Sequence, residues 1–388
     1  MTHRIKTLNA ISAHGLNRLP KEYEVGSDVE NAEAWLVRSA DLHRMEIPDE
    51  VLAVARAGAG TNNIPVADLS ERGVVVFFTP GANANAVKEL VLAGMLLAAR
   101  NIVPALSFSR NLTGDESEMN VAVEGGKKQF VGWELPGRTL GVIGLGAIGV
   151  EVANAAQALG MKVLGYDPAI TIRHAWQLSS QVDRAASIDE VFKKADVVTV
   201  HVPLMDATRN MVNAERIALM KNRGVLMNFA RAGIVDEQAV AAALDAGELR
   251  TYVTDFPGPT LHGNPRVIEL PHLGASTGEA EDNCAIMAAD ALRDFLENGN
   301  ILNSVNFPDA SLARNEGNAR IVIANANVPN MVAEISSLLG DAGLNITDLL
   351  NKSRGDLAWT MIDVNGEVPE ALVERIRGIH GVLSARVV

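Results

Sequence analysis

Cysteine is almost absent from this chain. Cys284 is the only one in 388 residues, so no intrachain disulfide can form, and a reducing compartment is the expected setting. Aromatic residues are scarce too, at 4%, so the cores are expected to be aliphatic, built from Val, Ile, Leu and Ala. Long hydrophobic runs are missing. The most apolar stretch, residues 90–99, is interrupted by Gly94 and closed by Arg100, which is too short for a bilayer and reads as a buried helix. The first ten residues carry charge but no apolar run of the kind a secretory leader needs. Positive charge is in deficit, with 34 Lys and Arg against 47 Asp and Glu and a net charge of −13. That balance disfavours nucleic acid and anionic membranes as partners, yet a local basic cluster could still hold a small anion. Low-complexity tracts are lacking and no metal site is expected. A soluble cytoplasmic protein of two or three domains is the expectation.

What is present is α/β patterning. Short apolar runs at residues 5–8, 35–37, 51–55 and 74–77 read as buried strands, with the turn signal Gly58-Ala59-Gly60 between two of them. Residues 86–99 read as one long helix. A more regular series follows, with strands expected at 140–143, 162–166, 197–200, 225–229, 252–254 and 267–270 and helical patterns between several of them. Six apolar strands with crossover-sized gaps describe a doubly wound parallel sheet. A helix rich in Ala is expected over 280–298, then a polar, weakly patterned linker over 306–318. The remainder repeats strand, helix, strand, strand, helix, strand, a βαββαβ, ferredoxin-like order.

Three motifs carry chemistry. Gly144-Leu145-Gly146-Ala147-Ile148-Gly149 follows a strand and opens a helix, where glycines permit a tight turn and the helix N-terminus favours pyrophosphate. The next strand ends in Asp167, placed to accept hydrogen bonds from a ribose diol and to repel a 2′-phosphate, which points to NAD rather than NADP. Asp167-Pro168 is also a good turn former on its own. Arg231 directly follows another strand, where a guanidinium can hold a carboxylate and polarise a neighbouring carbonyl, although a loop arginine is commonly just solvated. His272, in Leu270-Pro271-His272-Leu273-Gly274, also follows a strand, and histidine is the natural proton carrier for interconverting a hydroxyl and a carbonyl. His201, in His201-Val202-Pro203, ends a strand as well, and is read as lining the nicotinamide side.

Taken in order, these motifs resemble the D-2-hydroxyacid dehydrogenase family over about the first 305 residues. The resemblance implies a Rossmann-type nucleotide-binding domain inserted in a flavodoxin-like substrate domain, giving a substrate part at 1–85, an NAD domain at 86–279 and a returning helix at 280–305. It implies catalytic roles for Arg231 and His272, and cofactor contacts from Gly144, Gly146, Ala147, Ile148, Gly149, Asp167, His201, Val202, Pro203, Ala230, Asp255 and Gly274. Arg38-Ser39, Arg56-Ala57-Gly58 and Asn83 are similar to substrate-binding segments of the branch acting on D-3-phosphoglycerate. Lys127 lies where some members carry a phosphate-facing lysine, although Lys127-Lys128 also suits a solvated loop. Residues 319–388 resemble an ACT domain, a small amino-acid-binding module. Asn325, Asn327 and Asn345 would be its weakly matched effector contacts.

Some positions depart from the family pattern. The stretch Asp255-Phe256-Pro257-Gly258-Pro259-Thr260 has no glutamate where the family holds its catalytic histidine, leaving Asp255 and Glu269 as alternative partners. Asn62 stands for an Asp, Asn325 for a His and Asn330 for a Gly. The resemblance implies oxidation of D-3-phosphoglycerate by a homodimer or homotetramer, with an amino-acid effector at the ACT domain. Glycerate or 2-oxoglutarate as alternative substrates, and an NAD-sensing scaffold without turnover, stay open.

Overall fold

The computed structural model describes residues 2–314 and 318–388, which form two compact units: residues 1–83 with 278–388, and residues 84–277. The first unit contains a five-stranded sheet of β1 (Arg4–Leu8), β2 (Glu24–Gly26), β3 (Ala34–Val37), β4 (Ala53–Arg56) and β5 (Val75–Phe77). Its order is β2-β1-β3-β4-β5 with every pairing parallel, the flavodoxin-like order. Alternate residues serve two cores. Ala34, Leu36, Ala55 and Phe77 face the helix Gly278–Asn298 through its Leu292 and Phe295, while Trp35, Val37, Val54 and Val76 pack with Leu42 and Leu69 on the other side. Burial on both faces is why β3, β5 and most of β4 are uninterrupted apolar runs.

The second unit holds β6 (Thr139–Ile143), β7 (Lys162–Tyr166), β8 (Asp183–Arg184), β9 (Val197–Val200), β10 (Gly224–Asn228), β11 (Leu249–Thr254) and β12 (Val267–Glu269). The order β12-β11-β10-β9-β6-β7-β8, all parallel, is the doubly wound arrangement, and it reverses direction between β6 and β9. Ligands of such sheets bind beyond the carboxyl ends of the strands at that reversal. The helix Ala84–Ala99 lies on one face through Val87, Val91 and Met95.

The C-terminal part of the first unit is a four-stranded antiparallel sheet of β13 (Asn318–Ala326), β14 (Asn345–Arg354), β15 (Leu357–Asn365) and β16 (Val382–Val387), ordered β14-β15-β13-β16. Helices Met331–Asp341 and Glu370–Arg377 cover one face through Ile335, Leu339, Leu372 and Ile376. The other face is not left to solvent. Val322, Ala324, Trp359 and Met361 share a core with Phe77, Phe295 and Phe307. Trp359 Nε1 donates to the carbonyl of Gly299 at 2.9 Å, and the rings of Phe295 and Phe307 stand 5.7 and 5.8 Å from the Trp359 ring. Four aromatic residues, Phe77, Phe295, Phe307 and Trp359, therefore meet at this seam, a departure from the purely aliphatic cores expected from composition.

Residues 306–310 depart from the polar linker expected over 306–318, whose residues 315–317 lie outside the described residues. Asn306, Phe307 and Ala310 are buried. The Asn306 side chain accepts from Val76 N at 3.0 Å and donates to Val74 O at 2.9 Å, and so pairs with the edge of β5 as a strand would. A polar side chain substituting for backbone leaves no apolar signature, which is why the segment reads as a linker.

Candidate active site

In the second unit the glycine loop leaves β6 at Gly144, whose φ of +92° suits only glycine. A Cβ at Gly149 would lie 1.8 Å from the carbonyl oxygen of Gly144, so any side chain there would push the loop off the helix. Nothing lies within 4 Å of a Cβ at Gly146, the residue that starts the helix Ala147–Ala158, so this helix N-terminus opens onto free space. Ala147 and Ile148 form its first turn. Asp167, one residue past β7, accepts from Leu145 N through Oδ2 and from Ala169 N through Oδ1, both at 2.8 Å. Each oxygen keeps a further lone pair for a sugar hydroxyl. These features fit a dinucleotide: an exposed helix N-terminus for pyrophosphate and a carboxylate beside it for ribose.

His201 ends β9 against this loop, its backbone N donating to Ile143 O at 2.7 Å. Its Nε2 lies 3.0 Å from Thr199 Oγ1, whereas Nδ1 is buried without a partner. Burial pushes its pKa down to about 4, so the ring is neutral at physiological pH. Val202 packs beside Gly144, and Pro203 is exposed.

Arg231 lies three residues past β10. Asn228 bridges the turn, donating through Nδ2 to Arg231 O at 2.9 Å and accepting from Ala230 N at 3.1 Å. The exposed guanidinium donates to Ala230 O at 2.7 Å, and among the described residues no carboxylate pairs with it. His272 has φ +55°, a left-handed conformation that His tolerates better than most residues. Asp255 pins the turn. Its carbonyl accepts from His272 N at 3.1 Å, and its carboxylate accepts from Leu273 N at 2.7 Å and Gly274 N at 3.0 Å.

The histidine ring rests 4.9 Å from the Phe256 ring and pairs with no carboxylate among the described residues. Asp255 acts on the backbone of the turn, and Glu269 bonds His262 Nδ1 at 2.9 Å. At Gly258 a Cβ would lie 2.4 Å from a carboxylate oxygen of Glu237, which occupies that space.

The first unit holds the segments expected to bind substrate. Arg38 follows β3, and the backbone N atoms of Ser39 and Ala40 donate to Asn9 Oδ1. Arg56 ends β4, donating from Nε to Arg38 O at 3.1 Å, with its guanidinium lying over Gly58. Ala57 N donates to Val37 O at 2.8 Å, and Asn83 Oδ1 is buried without a partner. Two residues that sequence reasoning missed stand here. Glu281 pairs with Arg38 at 2.5 Å, and the buried Cys284 lies one turn further along the same helix. Lys127 belongs to the second unit, where it pairs with Glu124 on an exposed helix end.

In the small sheet, Asn325 is buried and donates to Ala326 O while accepting from Thr360. Asn327 is exposed, donating to Gly355 O at 3.1 Å, and Asn345 is exposed. Asn330 has φ +68°, a conformation asparagine tolerates, so it can stand where a Gly was expected.

Residues 93–274 match the D-isomer specific 2-hydroxyacid dehydrogenase, NAD binding domain. The D-3-phosphoglycerate dehydrogenase of Haemophilus influenzae is 32% identical over 354 residues, covering 88% of this chain and 82% of that protein. The chain belongs to the D-isomer-specific 2-hydroxyacid dehydrogenases. A second family member, the D-3-phosphoglycerate dehydrogenase of Methanocaldococcus jannaschii, is 36% identical over 76% of this chain, which spans only 56% of that protein's length. Among solved structures, the NAD+-bound 3-phosphoglycerate dehydrogenase of Entamoeba histolytica matches with a TM-score of 0.59 and 25% identity, over 79% of this chain and 99% of that one. The D-mandelate dehydrogenase of Rhodotorula graminis shares the fold, with a TM-score of 0.66 at 24% identity over 81% of this chain and 99% of that one. As a family member the chain is an NAD-dependent dehydrogenase. No single helix among the described residues is long and apolar enough to cross a membrane.

Proposed function

We propose that this dehydrogenase oxidises D-3-phosphoglycerate to 3-phosphohydroxypyruvate, the first step of serine biosynthesis, in the cytoplasm. The observation that carries the chemistry is that two motifs stand in one unit, each three residues past the carboxyl end of a parallel strand. Arg231 has no competing carboxylate among the described residues, and the backbone of His272 is pinned by Asp255. The substrate assignment is supported by the names of relatives that align with most of the chain.

NAD, when bound, supplies the hydride acceptor for the C2 hydrogen. Gly144, Gly146 and Gly149 would seat its pyrophosphate on the helix N-terminus, with Asp167 on a ribose and the neutral His201 beside the nicotinamide. The His272 imidazole accepts the hydroxyl proton as C2 becomes a carbonyl, and Arg231 holds the substrate carboxylate while polarising the new oxygen. Arg38 and Arg56 would face the phosphate with the Asn83 amide as a neutral partner, whereas the backbone N–H groups of Ser39, Ala57 and Gly58, also expected there, already donate to Asn9 Oδ1, Val37 O and Arg56 O. Lys127, tied to Glu124 at an exposed helix end, is left out of this site.

A homodimer or homotetramer is proposed, supported by the exposed apolar side chains Val103, Leu106 and Val121. An amino-acid effector at the small domain would have to meet Asn327 and Asn345, because Asn325 is already bonded inside.

One observation favours a second reading, the same chemistry on an unphosphorylated acid: Arg38 already holds a carboxylate. NADH oxidation with 3-phosphohydroxypyruvate, hydroxypyruvate and 2-oxoglutarate separates the two. Preference for the phosphorylated acid, lost in His272→Ala, is the expected result. Equal rates without the phosphate would overturn the substrate and keep the chemistry.

A further inference from the structure

Arg38, a candidate substrate-binding arginine, has a carboxylate partner. Its Nη2 lies 2.5 Å from Glu281 Oε1, and the two side chains are 39% and 42% exposed, so an incoming ligand can reach both. The rest of the neighbourhood is spoken for. Asp282, the next acid on the helix, accepts from Ser12 and faces His14 at 3.1 Å, and the buried Cys284 offers no negative charge. The Arg38 backbone is held separately, because its carbonyl accepts from Arg56 Nε at 3.1 Å. The head group can therefore change partners while the loop stays in place.

We propose that Glu281 is a selectivity residue whose carboxylate competes with an anionic substrate group for the Arg38 guanidinium, and so limits how strongly phosphorylated acids are preferred. A carboxylate and a phosphate bind the same forked edge of a guanidinium. A phosphorylated acid must displace Glu281 or sit beside it, and a phosphoryl dianion next to a carboxylate is repelled. An acid without the phosphate leaves the pair undisturbed. Glu281 thus penalises one substrate class selectively, as a repulsive element that separates related ligands. The inference rests on the reading of Arg38 as a phosphate-facing group.

The test uses the full chain and two readouts. In steady-state NADH oxidation, Glu281→Gln keeps the shape and removes the charge. The KM for 3-phosphohydroxypyruvate should fall by about fivefold, the upper range for a half-exposed ion pair, while that for hydroxypyruvate stays within about twofold. Glu281→Asp, which keeps the charge, should stay near the wild type for both. The second readout needs no turnover: inorganic phosphate titrated against thermal unfolding should bind Glu281→Gln more tightly than the wild type by a similar factor. If neither keto acid is reduced but phosphate still binds the variant more tightly, the substrate reading fails and the competition at Arg38 stands. A KM that rises for both substrates, or an unchanged phosphate affinity, overturns the proposal, because Glu281 would then merely hold Arg38 in place.

Discussion

Arg231 and Arg38 stand at comparable places, just past the carboxyl ends of β10 and β3 in two separate parallel sheets, and they are held in opposite ways. Arg231 is exposed and donates to the carbonyl of its own neighbour, so its charge is available to a ligand at no exchange cost. Arg38 is engaged with Glu281 before any ligand arrives. A third arginine marks the far end of this range. Arg320 in β13 is fully buried and spends all five donors, two on Asp363 and the others on the carbonyls of Asn298, Leu312 and Ala313. The comparison teaches that the partners of an arginine decide whether it recognises a ligand, discriminates between ligands or locks two parts of a fold together.

The largest effect is expected where the arginine is locked. Asp363→Ala would leave the Arg320 charge buried and half-satisfied, costing about 3–5 kcal/mol of stability, a large share of what a typical domain possesses. Urea unfolding of the two proteins measures this. A loss below about 1 kcal/mol would mean that the pair is not what joins the small sheet to the helix Gly278–Asn298. At Arg231 the cost falls on the reaction instead. Arg231→Gln should lower kcat/KM by a factor on the order of 10³ for every 2-keto acid, with unfolding unchanged. A loss confined to the phosphorylated acid would exchange the roles of Arg231 and Arg38.

His201 extends the comparison to a group held neutral rather than paired. Its pKa drops from 6.5 to about 4 on burial, so the unfolded chain binds the proton more readily between those values. The sign follows directly: the neutral ring's contribution is complete above about 6.5 and is lost as pH falls toward about 4. That loss is on the order of 3 kcal/mol. The unfolding free energy measured across this window should decline less steeply in His201→Gln than in the wild type. Equal slopes would show that His201 takes up its proton over the same pH range in the folded and the unfolded chain.

The parallel sheets were legible because burial on both faces leaves uninterrupted β-branched runs. β7 and β9 occupy the residues at which the sequence places them. β2 and β8 escaped, being short edge strands without such a run. Arg320 was opaque for a different reason: a charged residue in a strand reads as solvent-facing, and only the seam with Phe295 and Phe307 shows that no open face exists. The turn at His272 carries no local signal for its positive φ, which depends on Asp255 seventeen residues earlier in the chain. Glu281 could have been found, since residues 281, 284, 288 and 292 fall on one helical face and the last three are buried. A carboxylate one turn before a buried stripe faces whatever that stripe covers.

The smallest effect is expected at Arg38, and it is the one that most sharpens the contrast. Arg38→Gln removes a cation that already has a partner, so the loss is the difference between holding phosphate and holding Glu281. That difference should raise KM for 3-phosphohydroxypyruvate by about tenfold, well below the effect at Arg231, and leave hydroxypyruvate nearly unchanged. Combining it with Glu281→Gln closes a double-mutant cycle. If Glu281 acts only by occupying Arg38, its removal should have no further effect on KM once Arg38 is gone. A residual fall in KM for the phosphorylated acid would show that Glu281 repels the phosphate directly, with Arg56 as the cation that then holds it.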